Sequence, residues 1–251
     1  MKVVIWIISL VAIGLALTII LAGPGSRFGW WEYSDGLGFI RKFGLPVMIA
    51  AGVSTLAFIA SMFVARGAAP IALIAALMAG GAAITPVMMK KNFESNPFIH
   101  DVTTDFVNPP PILAGADEPR VNPPAYLGNE LMPRSEITIT QAQREAFPDI
   151  KPIKTSLSVD DASAVALGAL QSMNLKLLAD TKNDEGRLIE AAYTSMWFGF
   201  VDDFIVRIEA DGEGSVVNIR SKSRVGGSDL GANAKRIRAF SAKFKEQAPS
   251  G

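Results

Sequence analysis

The chain has 251 residues, no cysteine, and a formal net charge of zero from 24 basic and 24 acidic residues. The lack of cysteine excludes disulfides, thiolate catalysis and cysteine metal sites, and the balanced charge gives no overall basis for nucleic-acid binding. Charged residues make up only 19% of the chain and are scarce between Val3 and Met89. The composition therefore indicates an apolar N-terminal third and a polar remainder long enough to bury a core of its own.

Three apolar runs lie in the N-terminal third, at residues 3–22, 45–64 and 70–89. Each is free of charged residues, and about 20 such residues suffice to cross a hydrocarbon core about 30 Å thick. We interpret the first run as an uncleaved anchor, because it is long for a signal peptide and has a poor cleavage context. The short link at Arg66 makes the second and third runs an antiparallel hairpin. Residues 1–91 are thus predicted to be a membrane anchor with three transmembrane helices.

The basic residues of this anchor give conflicting indications of its orientation. Counting them favours a cytoplasmic position for the C-terminal part, because fewer lie on the side of the N-terminus than on the opposite side. A lysine at position 2 followed by a long apolar run is instead typical of a signal anchor with its N-terminus in the cytoplasm, which favours a periplasmic C-terminal part. The residues alone leave both orientations open.

Residues 92–130 are rich in proline, notably at 109–111 and 123–124. Proline fixes φ and removes a backbone donor, so a long helix or a central strand is not expected. We predict an extended connector between the membrane anchor and a soluble domain. It carries the only histidine, and His100, Asp101 and Asp105 form one candidate acid–base or metal cluster. The alternative is that these aspartates form turns with their own backbone, and we predict no metal site.

Residues 131–251 are predicted to form the soluble domain. Ser158 can cap a helix whose apolar residues recur at helical spacing. Four strands are expected near residues 175–179, 187–195, 201–209 and 215–223, the last two joined by a hairpin turn. A final helix follows, capped by Ser228 or Asp229. The predicted fold is therefore three transmembrane helices plus a two-layer α+β domain, with helices on a four-stranded antiparallel sheet.

Basic residues and a glycine-containing turn before the final helix suggest an anion site, since a helix N-terminus offers free N–H groups and arginine offers a planar fork. The candidate ligand-binding residues are Arg220, Ser221, Ser223, Arg224, Gly226, Gly227, Ser228, Asp229 and Asn233. The alternative is structural: Asp229 caps the helix and Asp202 or Asp203 pairs with an arginine.

No nucleophile elbow, phosphate loop, metalloprotease motif or dinucleotide fingerprint is found in the sequence. With one histidine and no cysteine, an enzyme would have to rely mainly on serine, lysine or carboxylates, and the candidate catalytic residues are His100, Asp101, Asp202 and Asp203. The last two are adjacent on a predicted strand and point to opposite faces, which makes them a poor carboxylate pair. We predict no cofactor.

Three stretches together resemble the bacterial family catalogued as domain of unknown function 1499. They are Phe198-Gly199-Phe200-Val201-Asp202-Asp203, Arg220-Ser221-Lys222-Ser223-Arg224-Val225-Gly226, and Ser228-Asp229-Leu230-Gly231-Ala232-Asn233. The upstream Ile99-His100-Asp101-Val102-Thr103-Thr104-Asp105 is similar to that family's entry segment. The resemblance covers roughly residues 96–245 and implies an envelope setting, because members often carry membrane or lipoprotein anchors. It implies no activity.

We therefore expect a non-enzymatic protein of the bacterial inner membrane with a periplasmic domain, and a cytoplasmic domain as the alternative. That domain would bind a ligand or partner near the membrane surface, with an anionic ligand or lipid headgroup as the candidate. The alternatives are a hydrolase-like enzyme and a structural subunit that packs against another membrane protein. No nucleic-acid partner is expected.

Overall fold

A computed structural model describes residues 1–248 of the chain, so the last three residues of the predicted soluble domain lie outside the described residues. The chain forms two compact units. The first comprises Met1–Asn92 together with Met196–Gly199. The second comprises Phe93–Ser195 and the chain from Phe200 onward.

The helical unit contains three long helices, α1 (Lys2–Arg27), α2 (Tyr33–Val64) and α3 (Ala69–Ser95). A single 3₁₀ turn, Arg66–Ala68, links α2 to α3. Each helix is long and apolar enough to cross a bilayer, with mean hydropathies of 2.9, 2.2 and 2.0 for the three candidate spans. All three predicted runs lie within these helices, which supports membrane association.

Small residues dominate the buried face of these helices. Ala12 and Ala16 of α1 and Ala72 and Ala79 of α3 are fully buried, whereas bulky side chains such as Leu56 are exposed. This distribution suits lipid as the solvent, because small residues allow close helix packing where no hydrophobic force drives helices together. In the same unit, the Trp197 indole N–H donates to the carbonyl of Ile20 at 3.2 Å.

The second unit is built on one antiparallel sheet with helices against it. The described strands are β1 (Asp101–Thr103), β2 (Ile153–Thr155), β3 (Lys176–Asn183), β4 (Gly186–Thr194), β5 (Val201–Asp211) and β6 (Gly214–Ser223). The helices are α4 (Ile139–Ala146), α5 (Val159–Ser172) and α6 (Ala232–Gln247). The sheet order is β1-β6-β5-β4-β3, and β2 also pairs with β6.

The sheet has six strands, so the prediction of four was wrong. The four predicted strands are β3 to β6, and their antiparallel pairing is confirmed. The two missed strands, β1 and β2, each span three residues and pair with opposite ends of β6. Three residues are too few to show a period-two pattern, and β1 lies in the segment whose prolines argued against strands.

One face of the sheet is apolar and packs against α5 and α6. Phe204 of β5 and Ile219 of β6 belong to the same buried cluster as Ile237 and Phe240 of α6. The rings of Phe204 and Phe240 are 5.3 Å apart. The predicted start of α5 is confirmed, because the Ser158 hydroxyl accepts the N–H of Asp161 at 3.1 Å.

The final helix begins slightly later than predicted. Its first residue is Ala232, preceded by Gly231 in the left-handed region with φ of 83°. Asp229 nevertheless binds the free amides of this end, accepting N–H of Gly231 at 2.8 Å and of Asn233 at 2.9 Å. The N-cap residue is therefore Gly231 and not Ser228 or Asp229 as predicted. Asp229 binds amides at this end from two residues further back, and the Ser228 hydroxyl accepts the N–H of Leu230.

The other face of the sheet is covered by residues 105–127, which we call the strap. The strap carries no helix or strand and contains most of the prolines of the predicted connector. The sequence predicted residues 92–130 as a connector outside the domain, but the structure places Phe93 onward in the same compact unit as the sheet. The strap is extended as expected, and it lies against the domain because its carbonyls and charges bind side chains of the sheet.

Candidate functional site

The covered face of the sheet is built by alternation along β6. Val217 and Ile219 point into the apolar core, so Arg220, Lys222 and Arg224 point the opposite way, because successive strand side chains alternate between faces. All three basic residues are buried. Fully buried lysine and arginine are rare unless they are paired, so their partners decide what this face can do.

Asp101 of β1 pairs with two of these cations. Arg220 donates two hydrogen bonds to this carboxylate, from Nε to Oδ1 at 2.9 Å and from Nη2 to Oδ2 at 2.7 Å. Lys222 Nζ donates to the same Oδ2 at 3.0 Å. Carbonyls of the strap accept the remaining donors, with Pro124 O 3.0 Å from Arg220 Nη2 and Ala125 O 2.8 Å from Lys222 Nζ.

A second ion-pair group forms around Asp203 of β5. Arg224 Nε donates to its Oδ1 at 2.8 Å, and Arg120 of the strap donates through Nη2 to its Oδ2. The Asp203 side chain is only 2% exposed. Arg224 also reaches Glu118 of the strap, Nη1 to Oε2 at 3.3 Å. The Glu118 side chain is 50% exposed, so it lies at the rim of the group.

Glu190 of β4 fixes the strap to the sheet by a different route. Its buried carboxylate accepts three consecutive backbone N–H groups, from Leu113 at 2.9 Å, Ala114 at 2.8 Å and Gly115 at 3.3 Å. Asn122 adds two bonds from its amide to the carbonyls of Ser223 and Gly226, both at 2.9 Å. The strap is therefore held by polar contacts along its length.

Polar residues also meet on the helix-covered face, near the start of α6. Arg236 Nη2 donates to Asp202 Oδ2 at 2.8 Å, and its Nη1 donates to the Ser221 hydroxyl at 3.0 Å. The Asn233 amide N–H₂ binds the Ser223 hydroxyl at 3.0 Å. Each of these polar groups has a partner inside the network, so the network stabilises the packing of α6 on the sheet.

A match to a protein family covers the strap, the sheet and its helices. The family described as protein of unknown function (DUF1499) matches residues 101–244. The chain belongs to the DUF1499 family. The match begins at the first residue of β1 and ends within α6, so it takes in the strap as well as the sheet and its helices. No curated protein matches the chain.

Burial shifts the pKa values of several groups in this unit, among them Lys222, His100 and Asp229. Desolvation lowers the pKa of Lys222, and the nearby Arg220 charge lowers it further. Desolvation also lowers the pKa of His100, assisted by the charge of Lys222. Burial raises the pKa of Asp229 to about 6, because desolvation outweighs the two backbone N–H groups that favour its charged form.

The structure divides the predicted ligand-binding residues of the DUF1499 domain between two faces of the sheet. Arg220 and Arg224 lie under the strap, whereas Ser221, Ser223 and Asn233 lie toward α6. The carbonyl of Gly226 accepts a strap amide and that of Gly227 accepts from His100 at 3.3 Å if Nδ1 is protonated. Asp229 accepts the N–H groups of Gly231 and Asn233 at the start of α6, and an anion site at this helix end stays a prediction.

The predicted catalytic residues are also divided. Asp101 and Asp203 lie under the strap in separate ion-pair groups, and Asp202 lies on the opposite face, as predicted from its position beside Asp203. The ring of His100 contacts the carbonyl of Gly227. No shared arrangement of base and carboxylates follows from these contacts. Within residues 1–248, no group of three or more metal-ligating side chains is found.

The residues that the strap contributes were not predicted as part of the site. The predicted connector contains Arg120, Glu118 and Tyr126, and a predicted strand contains Glu190. A signal was present for the first two, because Glu118-Pro119-Arg120 places opposite charges on both sides of a proline. The guanidinium carbon of Arg220 lies over the ring of Tyr126, 5.4 Å from the ring centroid.

Proposed function

We propose that this protein is a membrane-anchored binding protein whose DUF1499 domain holds an anionic ligand between the strap and the sheet. The observation that carries the proposal is the number of cations buried there. Among the described residues, four cationic side chains on this face are at most 8% exposed: Arg120, Arg220, Lys222 and Arg224. The buried carboxylates that face them or lie beside them are Asp101, Asp203 and Glu190.

The chemistry of these side chains supports an oxyanion as the ligand. Arginine presents a rigid fork of donors that matches carboxylate and phosphate oxygens. The strap excludes water from the face, and charge–charge attraction is stronger in such surroundings than in bulk water. An apolar ligand would have to be placed against buried charges, which is costly.

The geometry favours binding over catalysis. A general base must be free to accept a proton, but Asp101 and Asp203 are each held by two cations. Desolvation and the charge of Lys222 lower the pKa of His100, so it is a weak base. The hydrolase-like alternative therefore gains no support from these contacts.

We further propose that the helices anchor the protein in the bacterial inner membrane and that the domain is periplasmic. The three apolar helices support a membrane anchor, and the envelope setting rests on the family resemblance. A fusion of alkaline phosphatase to the C-terminus tests the side. Phosphatase activity in cells supports a periplasmic domain, whereas signal only from a cytoplasmic reporter at the same position contradicts it.

Direct titration tests the binding proposal. The full chain is purified in uncharged detergent and titrated with inorganic phosphate, acetate, succinate and glycerol 3-phosphate by isothermal calorimetry. We expect binding of at least one oxyanion, weakened as NaCl rises because salt screens charges at the rim. Choline chloride serves as the cationic control. Equal heats for all four anions and for choline would overturn the proposal.

A further inference from the structure

Arg120 is the least satisfied charged residue under the strap. Its side chain is 8% exposed, and it uses Nη2 for both Asp203 and the carbonyl of Gly115. Its Nε and Nη1 are buried and have no hydrogen-bond acceptor among the described residues. A buried donor without an acceptor destabilises the folded state, and more so when the group is charged. This cost needs a compensating reason.

The neighbouring Arg224 has a related deficit. Its Nη2 forms an ion-pair contact with Asp203 Oδ1 at 2.8 Å but makes no hydrogen bond to that oxygen or to another described residue. Two guanidinium groups thus converge on one carboxylate and keep three nitrogen donors unused. Asp203 can satisfy only part of what the two arginines offer.

Glu118 provides the remaining negative charge from the solvent side. Its carboxylate contacts Arg224 at 3.3 Å, longer than the 2.8 Å contact within the Asp203 pair, and it is half exposed. A long, exposed ion pair contributes little to stability. Glu118 can therefore leave Arg224 at low cost when a stronger acceptor arrives.

We infer that Arg120 and Arg224 form a binding site for the oxyanion of a phosphate or carboxylate group, and that Glu118 is an internal competitor that closes it. This inference rests on the proposed function and names its site. The oxyanion accepts from the unused nitrogens of both arginines, while Asp203 holds the guanidinium groups in place. The Glu118 carboxylate swings into solvent as the ligand enters.

The charge of Glu118 provides the first test. In the full chain, Glu118→Gln removes the competing carboxylate, and Asp117→Asn is the matched control, because Asp117 is the adjacent exposed acid and the change in net charge is equal. Titration with inorganic phosphate and with acetate should show roughly twofold to fivefold tightening for Glu118→Gln, as expected when a weak, half-exposed ion pair no longer competes with the ligand. Asp117→Asn should change the affinity less than twofold.

The arginine provides the second test. Arg120→Lys keeps the positive charge beside Asp203 but removes the forked donors, so it should weaken oxyanion binding roughly tenfold or more while circular dichroism confirms that the variant is folded. Lys154→Arg exchanges the two basic residue types at an exposed ion pair outside the strap. It is the control and should leave oxyanion binding unchanged. Unchanged binding in Arg120→Lys overturns the site.

The outcomes separate this inference from the broader proposal. If wild type binds an oxyanion but Glu118→Gln and Arg120→Lys leave its affinity unchanged, the site is elsewhere and only this inference fails. If wild type and Glu118→Gln both bind none of the anions, the proposed function fails as well. Nanodiscs with and without phosphatidic acid, titrated with glycerol 3-phosphate, distinguish the sources. Binding that phosphatidic acid blocks identifies a lipid headgroup, and unaffected binding identifies a soluble ligand.

Discussion

Replacing Asp101 by asparagine should destabilise the soluble unit more than any surface charge change. The carboxylate is 6% exposed and binds both Arg220 and Lys222. Asp101→Asn leaves these two cations buried beside each other with no counter-charge between them. Removing one partner of a buried ion pair costs about 3–5 kcal/mol, which for a protein of this size corresponds to a loss of roughly 6–20 °C in melting temperature.

The same variant should show a characteristic pH dependence through Lys222. Desolvation already lowers the pKa of Lys222, and losing Asp101 lowers it further. A lysine whose folded pKa lies below its unfolded value binds fewer protons when folded, so stability rises with pH across that interval. The difference between variant and wild type should therefore narrow as the pH rises toward the ordinary lysine pKa of 10.5.

The measurement is thermal unfolding of the full chain in detergent, followed by near-ultraviolet circular dichroism. Asp149→Asn is the matched control, since Asp149 pairs with Arg238 at an exposed site where both side chains are about half exposed. It should cost at most about 1 kcal/mol. If Asp101→Asn lowers the melting temperature no more than Asp149→Asn does, the ion pairs under the strap do not stabilise the soluble unit.

Three further predictions concern other parts of the domain. Glu190→Gln should speed amide hydrogen exchange at residues 113–115 roughly tenfold, because the carboxylate that accepts all three N–H groups is lost; unchanged exchange would show that the strap is held otherwise. Because the folded pKa of Asp229 is about 6, above its ordinary 3.8, its contribution to stability is largest below pH 4 and falls by at most about 3 kcal/mol up to pH 6; Asp229→Asn should flatten this dependence, and a persistent slope would assign it to other groups. Ser158→Ala should cost about 1 kcal/mol of unfolding free energy by removing the α5 cap, and a neutral result in denaturant titration would contradict the cap.

The sequence predicted the elements whose residues repeat at a clear period. The three apolar runs became α1 to α3, since only helices satisfy the backbone in lipid. β5 was predicted from alternation, β6 as its return strand after a hairpin turn, and α5 from Ser158 and its apolar spacing. These signals are local, so a single sequence suffices to read them.

The strap and the strand β1 that precedes it could not be predicted, because their structure depends on distant partners. Three residues of β1 show no period, and the prolines that follow argue against regular structure. The strap is ordered by residues such as Glu190 and Asp203, which lie 75 and 83 residues further along the chain from Gly115 and Arg120. Arg220 and Arg224 were found from their charge, and the pairing of Asp203 with an arginine was predicted as the structural alternative and is observed with Arg224. The carboxylate partners Asp101 and Glu118 were not predicted.

The pairing of β1 with β6 has a consequence for the order in which the protein matures. Lys222 and Asp101 are separated by 121 residues, and closing such long loops is slow compared with forming local hairpins. Strand β1 can pair with β6 only after nearly the whole chain has left the ribosome. A nascent chain that is halted before residue 214 should therefore keep its proline-rich segment accessible to proteases, while the helices ahead of it are already inserted.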